Sequence, residues 1–375
     1  VLNMNKYSIL VLAVFFAAAA ASCEDDPEYT VDKDAGGSDS GKSSDAGTDD
    51  KQDAGEGADA DSDTDTDSDT DTDTDADADG DIPDAGPAVE AFVVMPNGPR
   101  GLAFASGYLW IARAFMDADN VTKFDPESRI PVDDTTAGHR PAGVLSAAGA
   151  VWVTNNSDDP GTVTRINPAT AEVDKTIEVG TKPWGMTYAE SSVWVANTGD
   201  NSVSRINPAN NQVTETIKVG AGPVFLAYGA DSIWVSNYNE GNGNNVTRIN
   251  AVSNSKEATI QVGNGPAGIA LHDGSIWVAL EGDDKVARIN ATDNTVAETI
   301  DVPLGAYQLL SAVDSLWAVG YMGKISRINT DKGEVVDTVD TGGRCEGIAY
   351  GENLIWVTDL TNGLMYLINP AKMAE

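Results

Sequence analysis

Pro183 to Gly222 reads PWGMTYAESSVWVANTGDNSVSRINPANNQVTETIKVGAG. Four short runs stand out in it: GMTY, SVWVAN, SVSRIN and QVTETIKV. Each alternates β-branched or apolar residues with polar ones, the period of a half-buried strand. The breaks fall at Ala189-Glu190-Ser191, at Thr198 to Asn201 and at Pro208 to Asn211, residues suited to tight turns. Pro208 cannot donate to a ladder, so it marks a strand end. Four antiparallel strands in about forty residues predict one blade of a β-propeller.

The unit recurs along the chain. Its tryptophan returns as Trp110, Trp152, Trp194, Trp234, Trp277, Trp317 and Trp356, at steps of 42, 42, 40, 43, 40 and 39 residues. The third-run signature keeps the same beat, from Lys123-Phe124-Asp125 through Arg165-Ile166-Asn167 and Arg205-Ile206-Asn207 to Leu367-Ile368-Asn369. A strand-only pattern with a period near forty means a radial array. Seven copies predict an all-β, seven-bladed β-propeller with four antiparallel strands per blade. The seventh copy ends before a fourth strand, while Val89 to Val94 stands alone ahead of the first Pro-x-Gly. Residues 89–95 are therefore expected to complete the last blade and close the ring, which would otherwise expose a strand edge.

Three segments follow from composition. Residues 1–23 read as a secretory leader: Lys6, an apolar run from Ile9 to Ala21, then Ser22-Cys23. Ala20-Ala21-Ser22-Cys23 resembles the bacterial lipobox, which implies that Cys23 becomes the lipid-modified N-terminus. That would anchor the chain in a membrane and place it outside the cytoplasm, at the outer membrane or cell surface. Residues 24–88 hold 25 acids and 3 lysines among Ser, Thr, Gly and Ala, too little apolar surface to fold, and are expected to form a disordered acidic linker. Its 65 residues would reach at most ~230 Å and average ~45 Å as a flexible coil. Within it, Asp75-x-Asp77-x-Asp79-Gly80 opens like a calcium loop, but the twelfth position is Gly86 where a bidentate Glu is needed. Residues 89–375 form the propeller.

Charge and residue types narrow the function. The chain carries −36, of which the propeller segment holds 34 acids against 19 bases, so nucleic acid is not an expected partner. Apart from Cys23 the only cysteine is Cys345, which leaves no disulfide framework and reads as a buried small hydrophobe at the start of an inner strand. No His/Cys group has zinc spacing, no glycine-rich loop opens a helix, and no cofactor is expected. The seven tryptophans are expected to pack between blades. The Arg and Asn of the RIN triplet are expected to flank the ladder and serve the turns.

The consensus GPxGIA…SIWVAN…NTVxRINPAT…VxxTIxVG resembles the YVTN-type, YncE-like propeller repeat, with WVAN and WVTN in the place of YVTN. The likeness is strongest over WVTNNSDDPGTVTRINPATAEVDKTIEVG and WVANTGDNSVSRINPANNQVTETIKVG. It implies the propeller fold and an extracytoplasmic setting, and it implies no particular activity. The GPxGIA–W–RI skeleton also resembles the streptogramin-lyase propellers, a resemblance that implies a histidine pair, a glutamate and magnesium. This chain offers only His139 and His272, three blades apart and at different points of the repeat, with Glu281 after a tryptophan strand.

The repeats disagree at two sets of positions. One is the residue inside each Pro-x-Gly or the triplet in its place: Arg100, Ala142, Trp184, Val224, Ala267, Tyr307 and Glu346. The other lies three after each tryptophan: Arg113, Asn155, Asn197, Asn237, Leu280, Gly320 and Asp359. In a propeller the connections carrying both sets emerge on one face, so both are expected to ring the channel mouth. Arg100, Arg113, Trp184, Tyr307, Glu346 and Asp359 are the candidate ligand-binding residues, an aromatic-lined mouth with both charge signs. The expectation is a lipid-anchored binding or interaction module for an envelope protein or polysaccharide. The alternatives are a metal-dependent lyase or hydrolase at the same mouth and a structural surface-layer role.

Overall fold

The computed structural model describes residues 88–114, 119–157 and 160–373. The leader with Cys23, the acidic segment through residue 87 with its Asp75–Gly80 motif, and Asp158-Asp159 lie outside the described residues. Among the described residues, 28 strands form seven four-stranded sheets. The opening stretch becomes one of them: Pro183–Ala189, Ser192–Asn197, Ser202–Asn207 and Gln212–Lys218, each antiparallel to the next. Its first hairpin turns through Glu190 and Ser191, both at positive φ (47° and 52°), the mirror-image turn that matches strand twist.

The first strand of each blade is innermost, and these strands pack side by side around the axis. That of blade one, Pro99–Ala105, lies against those of blades two and seven, Pro141–Ala147 and Cys345–Gly351, so the ring is closed. Val89–Val94 completes blade seven, pairing antiparallel with Leu364–Ile368 from Val89↔Ile368 to Val94↔Leu364. Met95 N–H donates to the Gly363 carbonyl at 2.7 Å at one end of this seam, and Asn369 N–H donates to Ala88 at 2.9 Å at the other.

The core is not one mass but seven wedges, one at each junction between blades. Every tryptophan of the repeat is at most 2% exposed. Each faces the second strand of the following blade: Trp152 packs with Val193 and Val195, Trp194 with Ile233 and Val235, and Trp356 with Leu109 and Ile111 across the seam. The indole N–H of Trp152, Trp194, Trp234, Trp317 and Trp356 donates to the carbonyl five residues earlier, at 2.9–3.2 Å. In these five blades the ring buries its large apolar area while its one polar atom stays paired; the Trp110 indole nitrogen is buried without a hydrogen-bond partner.

The arginine of the RIN triplet does more than flank its own ladder. In blades two, three, four and six its guanidinium covers the blade's tryptophan, with Arg205 4.9 Å and Arg248 4.8 Å from the ring centroids. It also reaches the following blade. Arg165 donates to Pro208 O at 2.8 Å, Arg248 to Ala291 O at 2.6 Å, and Arg327 to Pro370 O at 3.3 Å. Lys123 does the same in blade one, donating to Pro168 O at 2.9 Å. These are clamps between blades, added to the ladder-flanking contacts that the sequence predicts, such as Arg248 with Glu257 at 3.1 Å. A repeat unit read alone cannot show a bond to the next copy. The triplet's asparagine behaves as expected, Asn167 and Asn207 accepting turn N–H groups at 2.9 Å. At the seam the clamp is absent. Leu367 replaces the arginine and joins Phe104, Phe124 and Trp356 in an apolar cluster.

Candidate functional site at the channel mouth

Each inner strand begins at the mouth with a bulge. The pairing of Pro99 with Arg113 slips before Leu102 pairs with Ile111, and Pro183 and Met186 behave alike. A bulge re-aims a side chain, and here it turns the residue after the proline toward the axis. The glycine that follows is required by packing. A Cβ on Gly143 would stand 2.4 Å from the Trp184 carbonyl oxygen, and one on Gly347 only 2.1 Å from that of Arg100. The hydroxyl two residues past the tryptophan locks this approach. Thr358 Oγ1 accepts from Gly347 N–H at 2.8 Å and donates to Arg100 O at 2.7 Å. Thr154 repeats the bridge between Gly143 and Trp184, at 2.8 and 2.6 Å. Arg100 and Trp184 are therefore carried on rigid backbone.

The re-aimed residues enclose a cavity of about 90 Å³ lined by Arg100, Trp184, Phe225, Tyr307, Gln308 and Glu346, with Gly143 and Gly185 as backbone wall. The Arg100 side chain is 7% exposed and that of Glu346 4%, and they approach at 3.5 Å. Arg344 Nη2 reaches the other oxygen of Glu346 at 2.7 Å from the rim. These are charge contacts without full alignment, for Arg100 Nε and Glu346 Oε1 are buried and lack a directed hydrogen-bond partner. The Arg100 guanidinium lies 5.3 Å from the Trp184 ring centroid, across from blade one to blade three. On the other wall Tyr307 stacks on Tyr321 at 4.0 Å and meets Phe225 and Tyr238 edge-on. Arg344 covers Tyr321 at 4.1 Å. Burial, then the Glu346 charge, pushes the Tyr307 hydroxyl well above the usual phenol range, and burial does the same to Tyr321. Both stay protonated at neutral pH and add no charge to the site.

Arg100, Trp184, Tyr307 and Glu346 thus meet around one cavity; Arg113 and Asp359 do not join them. Arg113 turns outward and pairs with Asp134 of its own blade at 2.8 Å. Asp359 is buried and accepts from the N–H groups of Thr361 and Asn362, both at 3.0 Å. The other members of that set are equally internal, Asn197 donating to Ser202 and Ser204 and Asn155 to Thr162 and Thr164. Side chains stand perpendicular to a sheet, and blades stack face to face. A residue on the second strand therefore points between blades, whichever face its loop emerges on. Only the bulge escapes that rule. Phe225, Gln308, Tyr321 and Arg344 were not anticipated. A signal for the first two existed: Pro223-Val224-Phe225 and Ala306-Tyr307-Gln308 break the Pro-x-Gly pattern at its glycine.

The residues that a magnesium-dependent elimination would call on are not gathered. His139 is exposed beside Asp119 at 3.3 Å. His272 ends its inner strand at the opposite end from the mouth, between Ser311 at 2.9 Å and Thr330 at 3.2 Å. Glu281 faces Tyr238, 3.5 Å from its hydroxyl, and burial raises its pKa. Among the described residues no group of three or more His, Cys, Asp or Glu side chains is placed to hold a metal ion. The donor set does not fit that ion. Cys345 is fully buried, its thiol pushed up to about 12 by burial, as befits a packing residue.

Comparison with known proteins places the fold. Residues 130–269 match the family model of the YNCE-like beta-propeller. A solved structure described as a Streptogramin B lyase structure is similar with a TM-score of 0.61 and 17% identity, over 76% of this chain and 99% of that one. At that identity the likeness concerns the fold alone. No curated protein matches the chain.

Proposed function

We propose that this chain, a YncE-like propeller with a distant likeness to the lyase propellers, is a lipid-anchored binding module of the cell envelope whose ligand enters the channel mouth. The observation that carries the reading is the pair of buried charges, Arg100 and Glu346, left incompletely hydrogen-bonded beside an open, aromatic-walled cavity. A buried charged group without directed partners costs stability, and nothing in the scaffold needs it, since other blades carry Ala142 or Ala267 at the same point. Anchoring is supported by the lipobox-like Ala20-Ala21-Ser22-Cys23 and by the acidic segment that follows, long enough to hold a propeller off an anionic surface. The partner would be a protein or polysaccharide of the envelope. A metal-dependent lyase reading has the shared fold behind it, but neither the histidines nor Glu281 stand where that chemistry would draw on them.

Two measurements test the reading. Cys23→Ser should release the protein from the membrane fraction or halt leader processing; recovery of soluble wild-type protein with an unmodified Cys23 would sink the anchor. Trp184→Ala and Arg100→Gln, in the full-length chain, should each lower capture of envelope components at least about tenfold, a loss near 1.4 kcal/mol. Melting temperature should move by no more than ~2–4 °C, the shift expected for about 1 kcal/mol in a large domain. Normal capture by both variants would move the working surface elsewhere.

A further inference from the structure

We infer that the group received at the mouth is a carboxylate carried on an apolar or aromatic body, held by Arg100 and flanked by Trp184 and Phe225. The inference rests on the binding reading above and adds the chemistry of the ligand.

The first ground is a shortage of acceptors. Two guanidiniums, Arg100 and Arg344, converge on one carboxylate, Glu346. Each guanidinium offers five N–H donors, whereas a carboxylate has about four lone-pair sites. The tyrosines near them remain protonated and supply no anion. Arg100 is the member that faces the cavity, 6% exposed; its Nε has no hydrogen-bond partner, and its ion contact with Glu346 is long at 3.5 Å. A planar carboxylate matches the guanidinium fork and can accept two parallel N–H bonds from it.

The second ground is the wall. Trp184 lies against Arg100, 5.3 Å from ring centroid to guanidinium, which limits the freedom the side chain has left to lose on binding. Phe225, Met186 and Tyr307 continue the apolar surface. About 90 Å³ holds several waters, enough for a carboxylate and a short stem. The rest of the ligand would leave past the aromatic rim.

The carboxylate could belong to a small free acid or to a polypeptide C-terminus, and the test separates them. Calorimetric titration of the full-length chain would use 3-phenylpropionate and its neutral amide, then acetyl-Ala-Ala-Phe with a free C-terminus and the same peptide amidated. At least one acid should bind at least about tenfold more tightly than its amide. The tripeptide acid binding best assigns a chain terminus; the small acid binding while the tripeptide is excluded assigns a free acid. Arg100→Gln should remove the preference for acid over amide, and Arg100→Lys, which keeps the charge but loses the fork, should restore part of it. Glu346 keeps Arg344 in both variants, so no buried carboxylate is stranded. An amide bound as well as its acid, a preference unchanged in Arg100→Gln, or no binding of either acid would overturn the assignment. If no acid binds while mouth-dependent envelope capture persists, only the carboxylate assignment falls. If capture is also indifferent to Trp184 and Arg100, the binding reading falls with it.

Discussion

Deleting residues 1–97 should abolish cooperative folding of the propeller, whereas deleting 1–84 should leave it intact. The two truncations differ by the closing strand Val89–Val94 and by Met95, which is 1% exposed. Without them Leu364–Ile368 becomes a free edge, and Met365, Tyr366, Leu367 and Ile368, each at most 1% exposed, lose their outer neighbour. Uncovering a few side chains of this size costs about 1.5–3 kcal/mol each, comparable in sum with the ~5–15 kcal/mol of a whole domain. The exposed edge also invites intermolecular pairing. A broad, irreversible melt and high-mass species on size exclusion are expected for the longer deletion. Equal melting curves and monomers from both truncations would refute this account of closure.

Trp194→Ala should be the most damaging single substitution in the blade that contains it, costing ~3–5 kcal/mol. The indole is fully buried between Ile233, Val235 and Leu226, so truncation leaves a wedge-shaped void at a blade junction. It also strips Arg205 of the ring beneath it and Ala189 O of its donor. Trp194→Phe, which keeps most of the volume and loses the N–H, should cost roughly a third as much, near the ~1 kcal/mol of a lost hydrogen bond plus a small void. Denaturant titration resolves the two. A loss under ~1 kcal/mol for the alanine variant would mean that neighbouring blades collapse onto the gap.

The fold was legible because its determinants repeat. The tryptophan beat fixes the blade count, the period-two runs fix the strands, and the unpaired run at Val89 fixes the closure. Each is a local pattern whose physical meaning survives without knowledge of the neighbouring copy. The lining of the candidate cavity was legible in part: Arg100, Trp184, Tyr307 and Glu346 meet there, at positions where the repeats disagree. Arg113 and Asp359 were misplaced because belonging to the mouth end of a strand does not set side-chain direction; the bulge does, and a bulge leaves only a weak mark in sequence. Arg344 and Tyr321 hold loop positions joined in each blade by one backbone bond, Leu360 N–H to Arg344 O and Tyr321 N–H to Gly305 O among them, where residue type varies so widely between blades that no single departure stands out. The inter-blade clamps of Arg165 and Arg248 were hidden for the opposite reason: five of the seven blades carry the arginine, so nothing singled it out.

The seam also has a mechanical meaning. Any pull transmitted through the segment ahead of Ala88 enters the propeller at the Val89 end of its closing strand. Tension applied there loads the Val89↔Ile368 rung first and would unzip the strand pair by pair, the weakest way to load a ladder. That end is where the extra fastenings sit. Asn369 holds Ala88 through its backbone and Glu90 through its side chain at 2.9 and 2.7 Å, and Lys372 grips Glu90 at 3.0 Å. The ring is latched at the point where a tether would tug, so force must break the Ala88 backbone bond and the Glu90 side-chain fastenings before the strand can peel beyond its first rung.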